Sequence, residues 1–385
     1  MNAIAIGDAL KSRTSSETKV PGTMLSLGAI LSGARGSAEA ASDTRLPVRI
    51  IAQSGVPRWI LPFDTRRAVP VLKSWRPYSV KSRMKWSTVV GASRLNLLNL
   101  LPGARHEVLS CEMSYWRQWL PDYSESWAIA GYIGNPSPSR KAILFFIDAR
   151  RRVQAVVKVP ILPAAKDAIV HEALVLRKME QRLPVPGVLF FDEAEGITAQ
   201  SWVQGVNIPR AFTREHMELL LSLAAENPAP RLAGTREDLE RRSAGLSGMI
   251  ESSLLHRALS LLDTRDELRQ CTEHGDFTPW NLRRLRNGEL TLIDWEWSVE
   301  AGYPWQDVCR YFYMQAYLFD EGANVWNRLI SNPLLVEYRR RLELSLGVVR
   351  GLTAYFLLRF LCNSYEEGEA GKVAFAAAKI EEILI

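Results

Sequence analysis

The chain changes texture once, near residue 205, and that change limits its fold more than any other feature. Between about 125 and 203 it is a succession of short apolar runs, WAIAGYIG, KAILFFI, VQAVVKVP, VLFFD and ITAQSWV. The first three are separated by NPSPSR and DARRR, the pattern of short strands bounded by turns. One helical stretch, from about Lys166 to Arg182, follows the third run. From Gly205 onward the apolar spacing is helical, broken by a single hairpin at 281–294. The expected fold is therefore α+β in two lobes. Residues 109–204 should form a small lobe of five antiparallel strands plus one helix, and 205–385 a mainly helical lobe.

Two further segments precede these lobes. Residues 1–45 are rich in Ser, Ala, Gly and Thr with little apolar periodicity, which predicts a disordered tail. Within it VPGTMLSLGAILSG, flanked by Lys11, Arg13, Lys19 and Ala38-Glu39-Ala40, imitates a secretory signal. Pro21, Gly22 and Gly28 inside it, with Asp8 and Glu17 ahead of it, argue against that reading. Residues 46–108 hold strand-like VRIIA and RWILPF, a Pro-punctuated basic middle, and a helical-looking ASRLNLLNLL ended by Pro102-Gly103. They predict a small ordered basic segment of unassigned role. Residues 1–110 carry 16 Lys/Arg against 6 Asp/Glu, while the remainder carries 32 against 36. The basic part is compatible with an anionic partner or a membrane surface, although a solvated basic face is the plainer reading.

Composition excludes several classes. With 385 residues and 47% apolar content, the chain has enough core-forming material for two or three domains. Cys111, Cys271, Cys309 and Cys362 are scattered singly, without zinc-site or disulfide spacing, so buried reduced thiols are expected. The best candidate for a membrane span, TAYFLLRFLC, is interrupted by Arg359. A cytoplasmic location follows as the expectation.

Chemistry is concentrated in His274-Gly275-Asp276-Phe277-Thr278-Pro279-Trp280-Asn281, then LRRLRNGELTLI and Asp294. Asn287-Gly288 favours a two-residue type I′ turn. A turn centred there pairs Arg286 with Glu289 and sets Asn281 opposite Asp294, offering an amide oxygen and a carboxylate to a hard cation such as Mg²⁺. Asp276, five residues before Asn281, is left to accept a proton from an incoming hydroxyl. That division of labour is what phosphoryl transfer needs. Chance would produce this five-position pattern in on the order of 10⁻⁴ of chains this long.

HGDFTPWN followed by LIDWE resembles the catalytic loop and metal segment of the aminoglycoside phosphotransferase and choline kinase superfamily, relatives of protein kinases. The resemblance covers about residues 110–385. It implies a protein-kinase-like fold, with Asp276 as catalytic base, Asn281 and Asp294 as Mg²⁺ ligands, and His274 as a structural brace. Lys158, alone in the apolar strand AVVKVP, and Glu172, on a helix face with Ile169, Ala173 and Leu176, then match the Lys–Glu pair that clamps the ATP phosphates. A structural ion pair is the alternative for either residue. The phosphate-covering turn departs from G-x-G-x-x-G, offering Gly131, Gly134 and the hydroxyls of Ser137 and Ser139. The base is expected along Gln200 to Val203, with Trp202 as readily core as stacking partner. Asp307 resembles the family's Asp that braces the catalytic loop, and a helix-dipole position in a first turn explains it equally. Trp295, Trp297, Tyr303, Trp305, Tyr311 and Tyr313 read as core before they read as an acceptor pocket.

The expected activity is an ATP- or GTP- and Mg²⁺-dependent kinase of a hydroxyl on a small molecule: a sugar, amino alcohol or aminoglycoside. Residues 206–273 hold 11 acids against 9 Lys/Arg, which disfavours a polycationic acceptor. A protein kinase is disfavoured by IDWE in place of DFG and by the lack of a following APE. Nucleic acid is not expected as a partner. The competing reading is a catalytically silent nucleotide-binding scaffold anchored by its basic segment.

Overall fold

The structure, a computed structural model, describes residues 30–31, 44–53, 56–75, 77–78, 80–101, 103–111, 116–117, 119–120, 122–134, 137, 139–229, 231–246, 248–263 and 268–385. The expected tail and the signal-like stretch fall almost wholly outside the described residues. The described residues divide into two compact units, one of residues 30–208 with 283–296, the other of 209–282 with 297–385.

The first unit is built on an eight-stranded antiparallel sheet in the order β3-β1-β2-β4-β5-β6-β8-β7. Its strands are β1 Thr44–Gln53, β2 Val56–Pro62, β3 Ala104–Cys111, β4 Ala128–Ile133, β5 Lys141–Ile147, β6 Val153–Pro160, β7 Val188–Asp192 and β8 Ile197–Ser201. Helices α1 Val69–Ser74 and α2 Val80–Arg94 precede β3, and α3 Pro163–Met179 lies between β6 and β7. The five expected strands are β4 to β8, with the expected helix after the third of them.

The basic segment supplies the other three strands. Trp59 pairs with Tyr132 and Ile60 with Gly131, so β2 continues the sheet beyond β4. Strand β3 was not expected, because ARHEVLSC is a charged edge strand without an apolar run, as edges commonly are. The helix expected at ASRLNLLNLL forms only at its start, where residues 92–94 end α2. Asn96 takes φ +57° after α2 has ended, its Oδ1 accepts from Thr65 N at 3.0 Å, and only a 3₁₀ turn follows at Leu98–Leu100. The Pro-punctuated middle is instead largely helical, with Pro70 in the first turn of α1, where the missing N–H breaks no hydrogen bond, and Pro77 between α1 and α2.

The sheet is covered on both faces, which is why KAILFFI lacks a polar alternate. Leu144 and Phe146 pack on one side with Ile50, Ile60, Ile129, Val157 and Trp116. Phe145 and Ile147 pack on the other with Trp59, Ala130 and Val153, beneath Val71 and Leu72 of α1 and Trp86 and Val89 of α2.

The second unit contains α4 Arg214–Ser222, α5 Arg236–Ser243, α6 Ser252–Ser260, α7 Gln306–Leu318, α8 Val325–Ser331, α9 Pro333–Arg341, α10 Leu346–Glu366 and α11 Ala370–Leu384. A three-stranded sheet of Ala224–Pro228, Arg269–Glu273 and Val299–Gly302 joins them. Helix α10 is long and apolar enough to cross a membrane by length and composition, but 67% of its most apolar stretch is buried, as in a core helix. Cys271, Cys309 and Cys362 are buried and not in disulfides, as expected.

Candidate active site

In the first unit, one lysine is held between two carboxylates from distant parts of the chain. Lys158 Nζ on β6 donates to Glu172 Oε1 of α3 at 2.7 Å and to Asp294 Oδ1 at 2.6 Å. Glu172 also accepts from Trp295 N at 3.2 Å. Lys158 and Glu172 are buried. Burial works against the lysine charge, but Asp294, Glu172 and Glu296 more than reverse it, so the ammonium is held protonated. Asp294 sits at φ +69°, in the left-handed region that costs a non-glycine residue energy.

Two more charges complete this cluster, and neither was anticipated. Lys141, at the start of β5, contacts Glu296 and stands 3.6 Å from Asp294 Oδ1. Glu296 is shifted upward by burial and by repulsion from Asp294, against the pull of Lys141 and Lys158. The available signal was positional: Lys141 opens an apolar strand, and Glu296 lies two residues beyond Asp294.

Strand pairing puts Lys158 beside Ile143 and Thr198, and Val156 beside Phe145 and Gln200, so these residues share one face. Gln200 is buried, and its Nε2 has no hydrogen-bond partner among the described residues. Trp202 stands edge-on to Phe145 at 5.9 Å. Trp75, from the basic segment, packs 4.4 Å from Tyr132 and 6.3 Å from Phe145. An aromatic wall beside the lysine is therefore partly made by a segment that the sequence left without a role. The Val203 carbonyl accepts from Gly205 N at 3.0 Å.

The turn between β4 and β5 is only partly described. Gly131 lies within β4. Gly134 N donates to Lys141 O at 2.9 Å, and the Ser137 and Ser139 hydroxyls are 3.4 Å apart. The hairpin beyond residues 274–281 corrects the expectation. Leu285 N donates to Glu289 O and Gly288 N to Leu285 O, closing a three-residue loop of 286–288. Gly288 alone of the three has positive φ, +91°, while Asn287 Oδ1 accepts from Glu289 N at 3.1 Å. A type I turn with a glycine bulge replaces type I′. Leu285 pairs with Glu289, one residue from the expected Arg286–Glu289 pairing, so the register that was to oppose Asn281 to Asp294 is not formed.

The second unit holds the loop His274–Asn281. Asp307, in the first turn of α7, accepts from His274 N at 2.7 Å and Gly275 N at 3.0 Å. Burial pushes its carboxyl up to about 7, against the two backbone donors. His274 Nδ1 accepts from Asp276 N at 3.2 Å, so this buried imidazole braces the loop. Gly275 has φ +79°, and a Cβ there would lie 2.0 Å from Trp297 O. Asn281 Nδ2 donates to Asp276 Oδ2 at 2.7 Å and to Asp276 O at 3.0 Å, leaving its amide oxygen for another partner. Arg310 Nε, on α7, donates to Asp276 Oδ1 at 3.0 Å. Arg310 was also unforeseen, for nothing in its neighbourhood in the sequence distinguishes it. Trp295, Tyr303, Trp305, Tyr311 and Tyr313 are buried, whereas Trp297 is 51% exposed.

Among the described residues no group of three or more His, Cys, Asp and Glu is arranged to hold a metal. An amide oxygen and a carboxylate suit Mg²⁺, which binds one or two protein oxygens and completes its shell with phosphates and water.

No protein-family model and no curated protein matches the sequence. Among solved structures it is similar to the apo form of a thermostable mutant of aminoglycoside phosphotransferase APH(4)-Ia, at 18% identity and TM-score 0.48, over 66% of this chain and 94% of that one. It is similar to a type I macrolide 2′-phosphotransferase at 15% identity and TM-score 0.47, over 70% and 97%. A third similar structure is the apoenzyme of macrolide 2′-phosphotransferase MphH from Brachybacterium faecium, at 16% identity and TM-score 0.45, over 65% and 91%.

Proposed function

We propose that this protein is a cytoplasmic phosphotransferase that moves the γ-phosphoryl group of ATP or GTP, with Mg²⁺, onto a hydroxyl of a small molecule. The observation that carries this reading is Lys158 fixed between Glu172 and Asp294, a buried cation presented on one face of the sheet. Lys158, oriented by Glu172, binds the nucleotide phosphates, and the turn with Gly134, Ser137 and Ser139 covers them. Gln200 and Val203 border the base, and the unpartnered Gln200 amide supports a polar ligand there. Asn281 in one unit and Asp294 in the other are the oxygen donors that would serve Mg²⁺, which when bound would neutralise charge on the transferring phosphoryl group. Asp276 accepts the proton of the acceptor hydroxyl, its carboxylate aimed by Asn281 and Arg310. His274 and Asp307 keep the loop in place.

The test is ADP formation by the purified protein with Mg²⁺ and ATP across a panel of sugars, amino alcohols, hydroxy acids and aminoglycosides. Acceptor-dependent ADP release that stops on chelation of Mg²⁺ is expected. Nucleotide binding with no acceptor-dependent turnover from any of these classes would favour the silent scaffold instead.

A further inference from the structure

The second unit contains a cavity of about 120 Å³ beside the catalytic loop, bordered by Gly275, Trp297, Arg310, Phe356, Arg359 and Asn363 among others. It adjoins Asp276 through two of these: Gly275 precedes it, and Arg310 Nε is bonded to its carboxylate. A hydroxyl presented from this cavity is within the neighbourhood of the proposed base. The volume is close to the ~150 Å³ known to accept one benzene ring, so the cavity takes one ring or a short chain rather than a multi-ring sugar.

The wall is chemically lopsided. Its two carboxylates are turned inward and already bonded: Glu273 accepts from Tyr303 N at 2.9 Å and faces Arg359 at 3.3 Å, and Asp307 accepts from His274 N and Gly275 N. The side chains of these acids are almost fully buried, whereas those of Arg310 and Arg359 are 24% and 33% exposed. Arg310 spends Nε on Asp276, which leaves its terminal nitrogens for a ligand. The apolar part of the wall is formed by Phe356 and Phe360, stacked at an interplanar angle of 7°, and by the half-exposed Trp297. Guanidinium groups facing a confined, partly apolar cavity select a carboxylate or phosphate and exclude an ammonium.

We infer that this cavity is the acceptor site, and that the acceptor is a small hydroxylated molecule with an apolar or ring body and an anionic group held by Arg310 and Arg359. This rests on the phosphotransferase reading and narrows its substrate class, away from aminoglycosides and amino alcohols. In the reaction the acceptor O–H bond breaks, its proton goes to Asp276, the oxygen forms a bond to the γ-phosphorus, and the bond from that phosphorus to the β-bridging oxygen breaks, releasing ADP.

The test is a binding titration of the full chain without nucleotide, read by Trp297 fluorescence against a Trp297→Phe control. The probes form a matched series: 4-(hydroxymethyl)benzoate, 4-(hydroxymethyl)phenyl phosphate, the neutral 4-(hydroxymethyl)benzamide and the cationic 4-(hydroxymethyl)benzylamine. One or both anions should bind at least tenfold tighter than the amide and the amine, with the better of the two naming the anionic group. Arg359→Gln should abolish that preference. Because Arg359 also faces buried Glu273, Asn363→Asp serves as a second variant. It keeps the partner of Arg242, 2.5 Å away, while adding a negative charge to the rim, and should weaken the anions severalfold and not the amide. Equal affinity across the series, tighter binding of the amine, or an anion preference that survives both substitutions would overturn the assignment. Because no nucleotide is present, such a result would leave the phosphotransfer reading standing, whereas failure of that reading shows in ADP release.

Discussion

Arg310 Nε and Asp276 Oδ1 stand 3.0 Å apart, and Asn281 Nδ2 holds the other carboxylate oxygen at 2.7 Å. The proposed base therefore has both oxygens fixed, one by a cation and one by an amide, on a loop whose backbone is tied to Asp307. A carboxylate so restrained loses little orientational freedom when an acceptor arrives, which is the positioning contribution to catalysis.

Lys158→Met should weaken nucleotide binding, but it also leaves Glu172 buried without its cation, a change that typically destabilises by about 3–5 kcal/mol. The double variant Lys158→Met/Glu172→Gln should recover much of that stability and none of the affinity. Denaturant unfolding and nucleotide titration on both variants separate the effects. Wild-type affinity in the double variant would make the pair purely structural.

Two glycines with positive φ should respond differently to alanine. At Gly275 the added Cβ meets the Trp297 carbonyl, whereas at Gly288 nothing lies within 4 Å. Gly288→Ala should cost about 1 kcal/mol from backbone strain alone. Gly275→Ala should cost more than about 3 kcal/mol and stop turnover. Equal unfolding midpoints for the two variants would contradict the described geometry of the loop.

Asp307 gives a pH dependence with a defined sign. Its folded-state pKa, about 7, lies above the ordinary 3.8, chiefly because it is buried. Between those values the folded chain holds a proton that the unfolded chain has released. Stability from this group therefore falls as pH rises from about 4 to about 7. Glu273, also raised by burial, acts in the same direction. The Tm of wild type minus that of Asp307→Asn should therefore decrease as pH rises over that range, and an increase would reverse the sign.

Residues 44–111 should be required for folding. They supply three strands of the sheet and, in Trp59, Val71 and Leu72, part of the layer over Phe145 and Ile147. A chain starting near residue 112 should be insoluble or unfolded by circular dichroism. A stable proteolytic fragment with that start would contradict this.

The sequence was legible where one rule acts alone. The strands β4 to β8 follow from local apolar runs, and α3 from an amphipathic period closed by Pro184 and Pro186. Legibility ended where the outcome depends on distant partners. Asn96 ends a helix because Thr65 is there to bond it, β3 is a strand because β1 offers it an edge, and Asn287 prefers bonding Glu289 N to the left-handed conformation its pairing with Gly288 suggested. Of the candidate residues, Lys158 and Glu172 in one unit and Asp276 and Asn281 in the other were visible through the patterns they sit in. Lys141, Glu296, Arg310 and Trp75 were not, because their roles come from tertiary proximity to groups far away in sequence.

The most direct test of the account is transfer of γ-labelled phosphate from ATP to an acceptor by wild type and by Asp276→Asn, with nucleotide affinity and thermal stability measured on the same preparations. The amide is nearly isosteric and keeps an acceptor oxygen, so folding and nucleotide binding should be preserved. Transfer should fall by about 10²- to 10⁴-fold, the usual contribution of a general base. Transfer at the wild-type rate in Asp276→Asn, or loss of nucleotide binding while transfer persists at saturating nucleotide, would contradict the role assigned to Asp276.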